Sequence, residues 1–240
     1  MKVHWLEHTE SDLPANLDWL SAGEAACLNS LRVPKRRRDW QLGRWTAKCA
    51  LSAYLSVPGD LQSLSDIEVR PAPSGVPEAF VADQPALTSI SLSHSNGTAL
   101  CAIAPFGAAL GCDLELIEAR SDAFVADCFT AEERALIAQS YAAERSRLLT
   151  LLWSAKESAL KALHEGLRQD TRSVTVTLLE SAVTSMAEEA CSAQPIWHGL
   201  EVRHVDGAVF HGWWQQRSNL MRTLVAAPRP MTMIPLAMNV

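Results

Sequence analysis

Between Lys35 and Leu55 the apolar residues Trp40, Cys49, Leu51 and Leu55 recur among basic ones at helical spacing, and Val57-Pro58-Gly59-Asp60 stops the run, which predicts a helix. A short strand, Ile67 to Arg70, and a Pro/Gly loop, Pro71 to Pro77, come next. Leu87 to Ser93 alternates with period two, and Asn96-Gly97 separates it from Thr98 to Ile103, a strong hairpin signal. Further on, Gly111 to Leu116 alternates so that a strand sends Asp113 and Glu115 to one face and Cys112, Leu114 and Leu116 to the other. The second half then repeats the order of the first. A helix is predicted from about Ala143 to His164, a strand from Ser173 to Leu179, and Leu200 to Val205 and Ala208 to Phe210 flank Asp206-Gly207. Glu180 to Gln194, rich in Ala, Ser and Glu, fits no element.

The halves also share letters. Trp45-Thr46-Ala47-Lys48 resembles Trp153-Ser154-Ala155-Lys156, and the two Gly turns stand apart by nearly the same offset, so a duplicated α+β unit is expected. The expected division is 1–108, 109–227 and an appended Pro-rich extension, 228–240. Glu157 answers to Cys49 under this offset, so a duplicated fold carries acid chemistry in one copy only, with one site at the junction.

Composition narrows the classes. The 240 residues are 48% hydrophobic and 20% charged, enough for a sizeable core, and the net charge of −6 argues against a general nucleic-acid binder. Any anion site must be local. Six cysteines (27, 49, 101, 112, 128 and 191) show no CxxC or Cys/His spacing, which favours reduced thiols over zinc or a disulfide scaffold. No apolar stretch is long enough to span a bilayer. A soluble cytoplasmic protein is expected.

Three groups of residues can carry chemistry. On a helix Trp153, Glu157 and Lys161 fall on one stripe; alone, Glu157/Lys161 is a common surface pair. Asp113 and Glu115 alone read as an acidic edge strand. Together with Glu157 they offer three oxygen ligands, with Cys112 sent to the other face of the strand, which suits Mg²⁺. The second group is Lys35 to Arg38 with Arg44 and Lys48, either a solvated helix face or, because cations at a helix N-terminus oppose its dipole, a seat for a polyanion. In the third, Ser93 and His94 close a strand, where a hydroxyl and an imidazole can donate to a phosphate.

In their order and spacing Ser93-His94-Ser95, Gly111-Cys112-Asp113-Leu114-Glu115, Phe129-Thr130-Ala131-Glu132-Glu133 and Trp153-Ser154-Ala155-Lys156-Glu157-Ser158-Ala159-Leu160-Lys161 resemble the motifs of the surfactin-synthetase-type 4'-phosphopantetheinyl transferases. The resemblance covers roughly Arg36 to Leu179 and implies an α+β pseudo-dimer of two similar α/β halves with one active site at their junction. It also implies an enzyme that moves the phosphopantetheine arm of coenzyme A onto a serine of an acyl or peptidyl carrier protein, with Mg²⁺, releasing adenosine 3',5'-bisphosphate. By that resemblance Asp113, Glu115 and Glu157 are the metal-site acids, Glu157 also the base for the serine, and Lys161 the neutraliser of the leaving phosphate. Ser93 and His94 take the 3'-phosphate, and Arg36, Arg37, Arg38, Arg44 and Lys48 supply further phosphate contacts. Glu133 matches an acid near the metal. The family often has Gly-Lys-Pro ahead of the SHS strand, where this chain has Gly75-Val76-Pro77, and Arg70 is a candidate replacement. A monomer is expected, without nucleic acid or membrane partners. The rival readings are a non-catalytic coenzyme A or carrier-binding module of the same fold, and a Mg²⁺-dependent phosphohydrolase.

Overall fold

The N-terminal strand β1 (Lys2–Thr9) begins a chain that a computed structural model describes over residues 1–164, 169–179, 196–230 and 232–237. The segment 180–194, unplaced from sequence, lies outside the described residues. The protein is mixed α+β and divides into two units, Met1–Ala108 with Pro230–Val240, and Ala109–Arg229.

In unit 1, β1 is followed by α1 (Ala22–Ser30), α2 (Pro34–Leu55), α3 (Leu61–Ser65), β2 (Ile67–Pro71), β3 (Pro77–Val81), β4 (Gln84–Pro85), β5 (Thr88–Ser95) and β6 (Thr98–Pro105). Pro34, whose fixed φ and missing N–H suit a first helical turn, starts α2. Ser56, in the left-handed region at φ 56, ends it. The Asn96-Gly97 turn has both residues at positive φ (48 and 71), the conformation a two-residue hairpin turn demands, and it sets Ser95 opposite Thr98. Strand β6 lies between β5 and β1, while β2, β3 and β4 form a separate small sheet. Trp19, Leu28, Trp45, Leu51, Ile67 and Ile103 lead the core against which α2 packs.

Unit 2 runs β7 (Ala109–Leu116), α4 (Asp122–Cys128), α5 (Ala131–Gln139), α6 (Arg145–Ala162), β8 (Val174–Leu178), β9 (His198–His204), β10 (Val209–Arg217) and β11 (Leu220–Ala227). Its antiparallel sheet has the order β7-β11-β10-β9-β8, and α6 packs on it over Phe129, Leu152, Leu160, Trp214 and Val225. The last strand, β12 (Thr232–Pro235), pairs in parallel with β1, so the segment expected as an appended extension contributes an edge strand to unit 1. Among the described residues no helix is long and apolar enough to cross a membrane.

The shared letters have a structural counterpart. Lys48 is fully buried, ion-paired with Glu24, and donates to the carbonyls of Trp19 (2.7 Å) and Leu64 (3.0 Å). Lys156 is fully buried too, ion-paired with Glu133 at 2.8 Å, and donates to the carbonyls of Thr171 (2.9 Å) and Val174. Each acid also closes a capping box, Ser21 with Glu24 and Thr130 with Glu133, and accepts a strand N–H, from Val69 at 3.4 Å and Val176 at 2.9 Å. A buried ammonium is tolerable only with such full pairing. The Gly turns correspond less well. In unit 1, Asn96-Gly97 joins β5 to β6, the strand beside β1; in unit 2, Ser218-Asn219 joins β10 to β11, the strand beside β7. Asp206-Gly207 instead lies in a longer connection between β9 and β10, so its offset from Asn96-Gly97 does not mark equivalent turns.

Candidate active site

Helix α6 approaches β7 unusually closely because Gly111 faces it. A Cβ there would stand 1.7 Å from the Ser158 carbonyl oxygen and 2.7 Å from its carbon, which no side chain permits. Small residues on α6 complete the fit: Ser154 and Ser158 place their hydroxyls 2.9 and 2.7 Å from that of Thr223 on β11. The helix stripe then meets the acidic face of the strand. Lys161 Nζ donates to Asp113 Oδ1 at 2.8 Å and to the Cys112 carbonyl at 2.9 Å, and Trp153 Nε1 donates to Glu115 Oε1 at 3.1 Å.

Glu157 sits between these two contacts on the stripe. Burial, then the nearby Asp113, push its carboxyl up to about 7, with Lys161 working the other way and Glu115 adding to the rise. Its Oε1 is buried and accepts no hydrogen bond. Glu115 is raised as well, by burial first and Asp113 second, against the pull of Trp153, Arg120 and Lys161. Burial disfavours the Lys161 charge, yet Asp113, Cys112 and Glu157 outweigh it and the ammonium is held above its ordinary range.

Arg120 escapes a reading of the sequence. Its guanidinium reaches Glu115 Oε2 at 3.2 Å and Glu118 at 3.3 Å, and lies over Phe124, whose ring packs edge-on against Trp153. No motif marks it; the only signal was a cation five residues after an acid on a strand end. Trp153 is likewise more than packing. Trp153→Phe is expected to keep the ring contact with Phe124 and cost about 1–2 kcal/mol in urea unfolding, because it leaves a half-buried carboxylate one donor short. A loss below ~0.3 kcal/mol would show that the indole N–H is not needed.

Glu133, matched to an acid near the metal, is taken up wholly by its clamp. Its oxygens accept from Thr130 N, Val176 N and Lys156. The expected phosphate contacts of unit 1 separate in the same way. Lys48 has its ammonium enclosed by Glu24 and two carbonyls. Arg44 donates to the Val69 carbonyl, lies 3.6 Å from Glu24 and stacks 4.8 Å over Trp40. Arg37 ties the Leu28 and Leu31 carbonyls to the start of α2. These three groups are committed to the fold, whereas Arg36 and Arg38 are exposed. His94 is exposed beside the middle of α2, its Cδ2 3.8 Å from where a Cβ on Gly43 would lie, and Ser93 precedes it on β5. Arg70, the candidate substitute for the missing lysine at Val76, is paired with Glu68 and Asp83 and covers Phe80.

The structure thus brings Asp113, Glu115, Glu157 and Lys161 together in unit 2. Among the described residues, no three His, Cys, Asp or Glu side chains are gathered as for a metal ion. Lys161 holds one oxygen of Asp113, and Trp153 and Arg120 hold both of Glu115. The donor set still fits a hard divalent cation, since Glu157 Oε1 is an oxygen donor that accepts no hydrogen bond in a half-buried acidic setting. No curated protein matches the chain. Residues 109–209, which hold all three acids, Arg120, Trp153 and Lys161, match the family model ACPS, the 4'-phosphopantetheinyl transferase superfamily.

Proposed function

We propose that this protein transfers the 4'-phosphopantetheine arm of coenzyme A to a serine of an acyl or peptidyl carrier protein, releasing adenosine 3',5'-bisphosphate, as a Mg²⁺-dependent cytoplasmic enzyme that acts as a monomer. The proposal includes the surfactin-synthetase-type subfamily, the pseudo-dimeric fold and the single active site that the motifs imply. One observation carries it: Glu157, with a buried unbonded oxygen and a carboxyl raised to about 7, stands beside Asp113 in the segment that matches the superfamily.

Asp113 and Glu157 are the residues that would hold the cation, with Glu115, bonded to Trp153 and Arg120, as the third acid that the motifs imply. When bound, the cation neutralises the diphosphate oxygens of coenzyme A. Glu157 accepts the proton of the carrier serine, directly or through one water, since a carboxyl poised near neutrality is suited to that task. The serine oxygen then forms its bond to the phosphorus bearing the pantetheine arm as the bond to the bridging oxygen breaks. Lys161 offsets the charge that collects on the departing bisphosphate. Ser93 and His94 are proposed for the 3'-phosphate, and Arg36 and Arg38 for further phosphate contacts, as the motifs imply.

Mass spectrometry of apo carrier proteins incubated with the enzyme, coenzyme A and Mg²⁺ tests this. The expected result is a carrier heavier by one phosphopantetheine, with stoichiometric bisphosphate release, abolished by excess EDTA. Binding of coenzyme A without modification of any carrier would favour the non-catalytic module, and bisphosphate release without a carrier would favour a hydrolase.

A further inference from the structure

We infer that Lys161 is a tethered counter-ion that fills the metal position of the ligand-free protein and must leave Asp113 before a divalent cation can bind well. The inference rests on the metal reading above. Three acids lie together here, and the chain supplies two cations of its own: Lys161 at 2.8 Å from Asp113 Oδ1, and Arg120 at 3.2 Å from Glu115 Oε2. Neither cation bonds Glu157, whose buried Oε1 accepts no hydrogen bond. A dication arriving at Asp113 and Glu157 therefore meets an ammonium already on one of its two ligands. It must compete for that oxygen and, while the ammonium stays, endure its repulsion in a half-buried setting where charges are poorly screened.

The tether is anchored for this purpose at both ends. Lys161 closes the stripe on α6, and its second donor bond goes to the Cys112 carbonyl, so the ammonium is positioned by backbone as well as by the acid it neutralises. A ligand bearing a diphosphate offers this ammonium a stronger anion, and its transfer to phosphate would release Asp113 to the cation. Cation and phosphate binding then reinforce one another, and by linkage each raises the affinity of the other equally. Free protein would load metal weakly, and the metal would enter together with the phosphates.

The test is a titration of the coenzyme-free protein with Mn²⁺, reading free aquo-Mn²⁺ by its paramagnetic resonance signal. Wild type, Lys161→Met and Glu157→Gln are compared, with thermal melts to establish folding and Lys161→Gln replacing the Met variant if the latter fails to fold. Lys161→Met is expected to bind Mn²⁺ about tenfold more tightly than wild type, a gain within the usual range of coupling between sites, and Glu157→Gln to lose the site. Equal or weaker binding by the lysine variants, with loss in Glu157→Gln, would overturn the counter-ion role while leaving the metal reading intact. No Mn²⁺ binding by any form, together with carrier modification that survives EDTA, would overturn the metal reading itself.

Discussion

On the proposed function, Glu157→Gln is expected to leave carrier modification nearly abolished and, in the metal-free state, the protein more stable. The two effects share a cause. The carboxyl sits at about 7 in the folded protein against 4.5 for an ordinary glutamate, mainly because it is buried and secondly because Asp113 is near. A raised acid favours the folded state only while it is protonated. Its contribution is therefore full below about pH 4.5, is lost as the pH rises towards 7, and is absent above that. The shift sets an upper bound of about 3.5 kcal/mol at about 1.4 kcal/mol per unit, and partial exposure reduces this to about 1–2 kcal/mol. Urea unfolding of EDTA-treated protein is expected to show that gain for the Gln variant at pH 8 and most of it gone at pH 5. Carrier modification with Mg²⁺ at pH 8 is expected to fall by about 10²–10⁴, the range for losing a positioned base or charge stabiliser. A variant that transfers at the wild-type rate, or is less stable than wild type at pH 8, would show that Glu157 is an ordinary helix residue.

Gly111→Ala is expected to be the most damaging single-methyl change in unit 2. The added Cβ meets backbone, the Ser158 carbonyl at 1.7 Å and the Ala162 nitrogen at 3.0 Å, so no side chain can swing aside and α6 must move away from β7. That movement would loosen the Thr223 hydroxyl contacts and draw Lys161 and Trp153 off the acids. A cost of about 3 kcal/mol or more is expected in urea unfolding, at the top of the range for overpacking. Gly23→Ala in α1, whose nearest neighbour is a side-chain oxygen at 3.9 Å, is the control and should be neutral or slightly stabilising. A Gly111→Ala protein within ~0.5 kcal/mol of wild type would mean the close approach is not a fixed feature.

Residues with a clean local period were legible in the sequence. The stripe Trp153, Glu157, Lys161 and the alternation around Asp113 both arise from one element with one buried face, and the structure sets these two faces against each other. The Asn96-Gly97 hairpin was legible because its backbone leaves few other residues suitable. Strand β11 was not, since Leu220 to Ala226 are all buried and the two-residue alternation that betrays a strand is absent. Partnership across the chain was equally hidden. Lys48 and Arg44 belong by sequence to a basic run, but Glu24, twenty positions and more upstream, turns them inward. Arg120 became part of the acidic cluster only once β7, α4 and α6 were packed.

The twin clamps have a practical consequence for watching this protein unfold. The chain has only five lysines, Lys2, Lys35, Lys48, Lys156 and Lys161, and two of them are sealed. An amine-acylating reagent cannot reach Lys48 until unit 1 opens, nor Lys156 until unit 2 does. Peptide mapping of the labelled amines would time each opening separately, without any engineered probe.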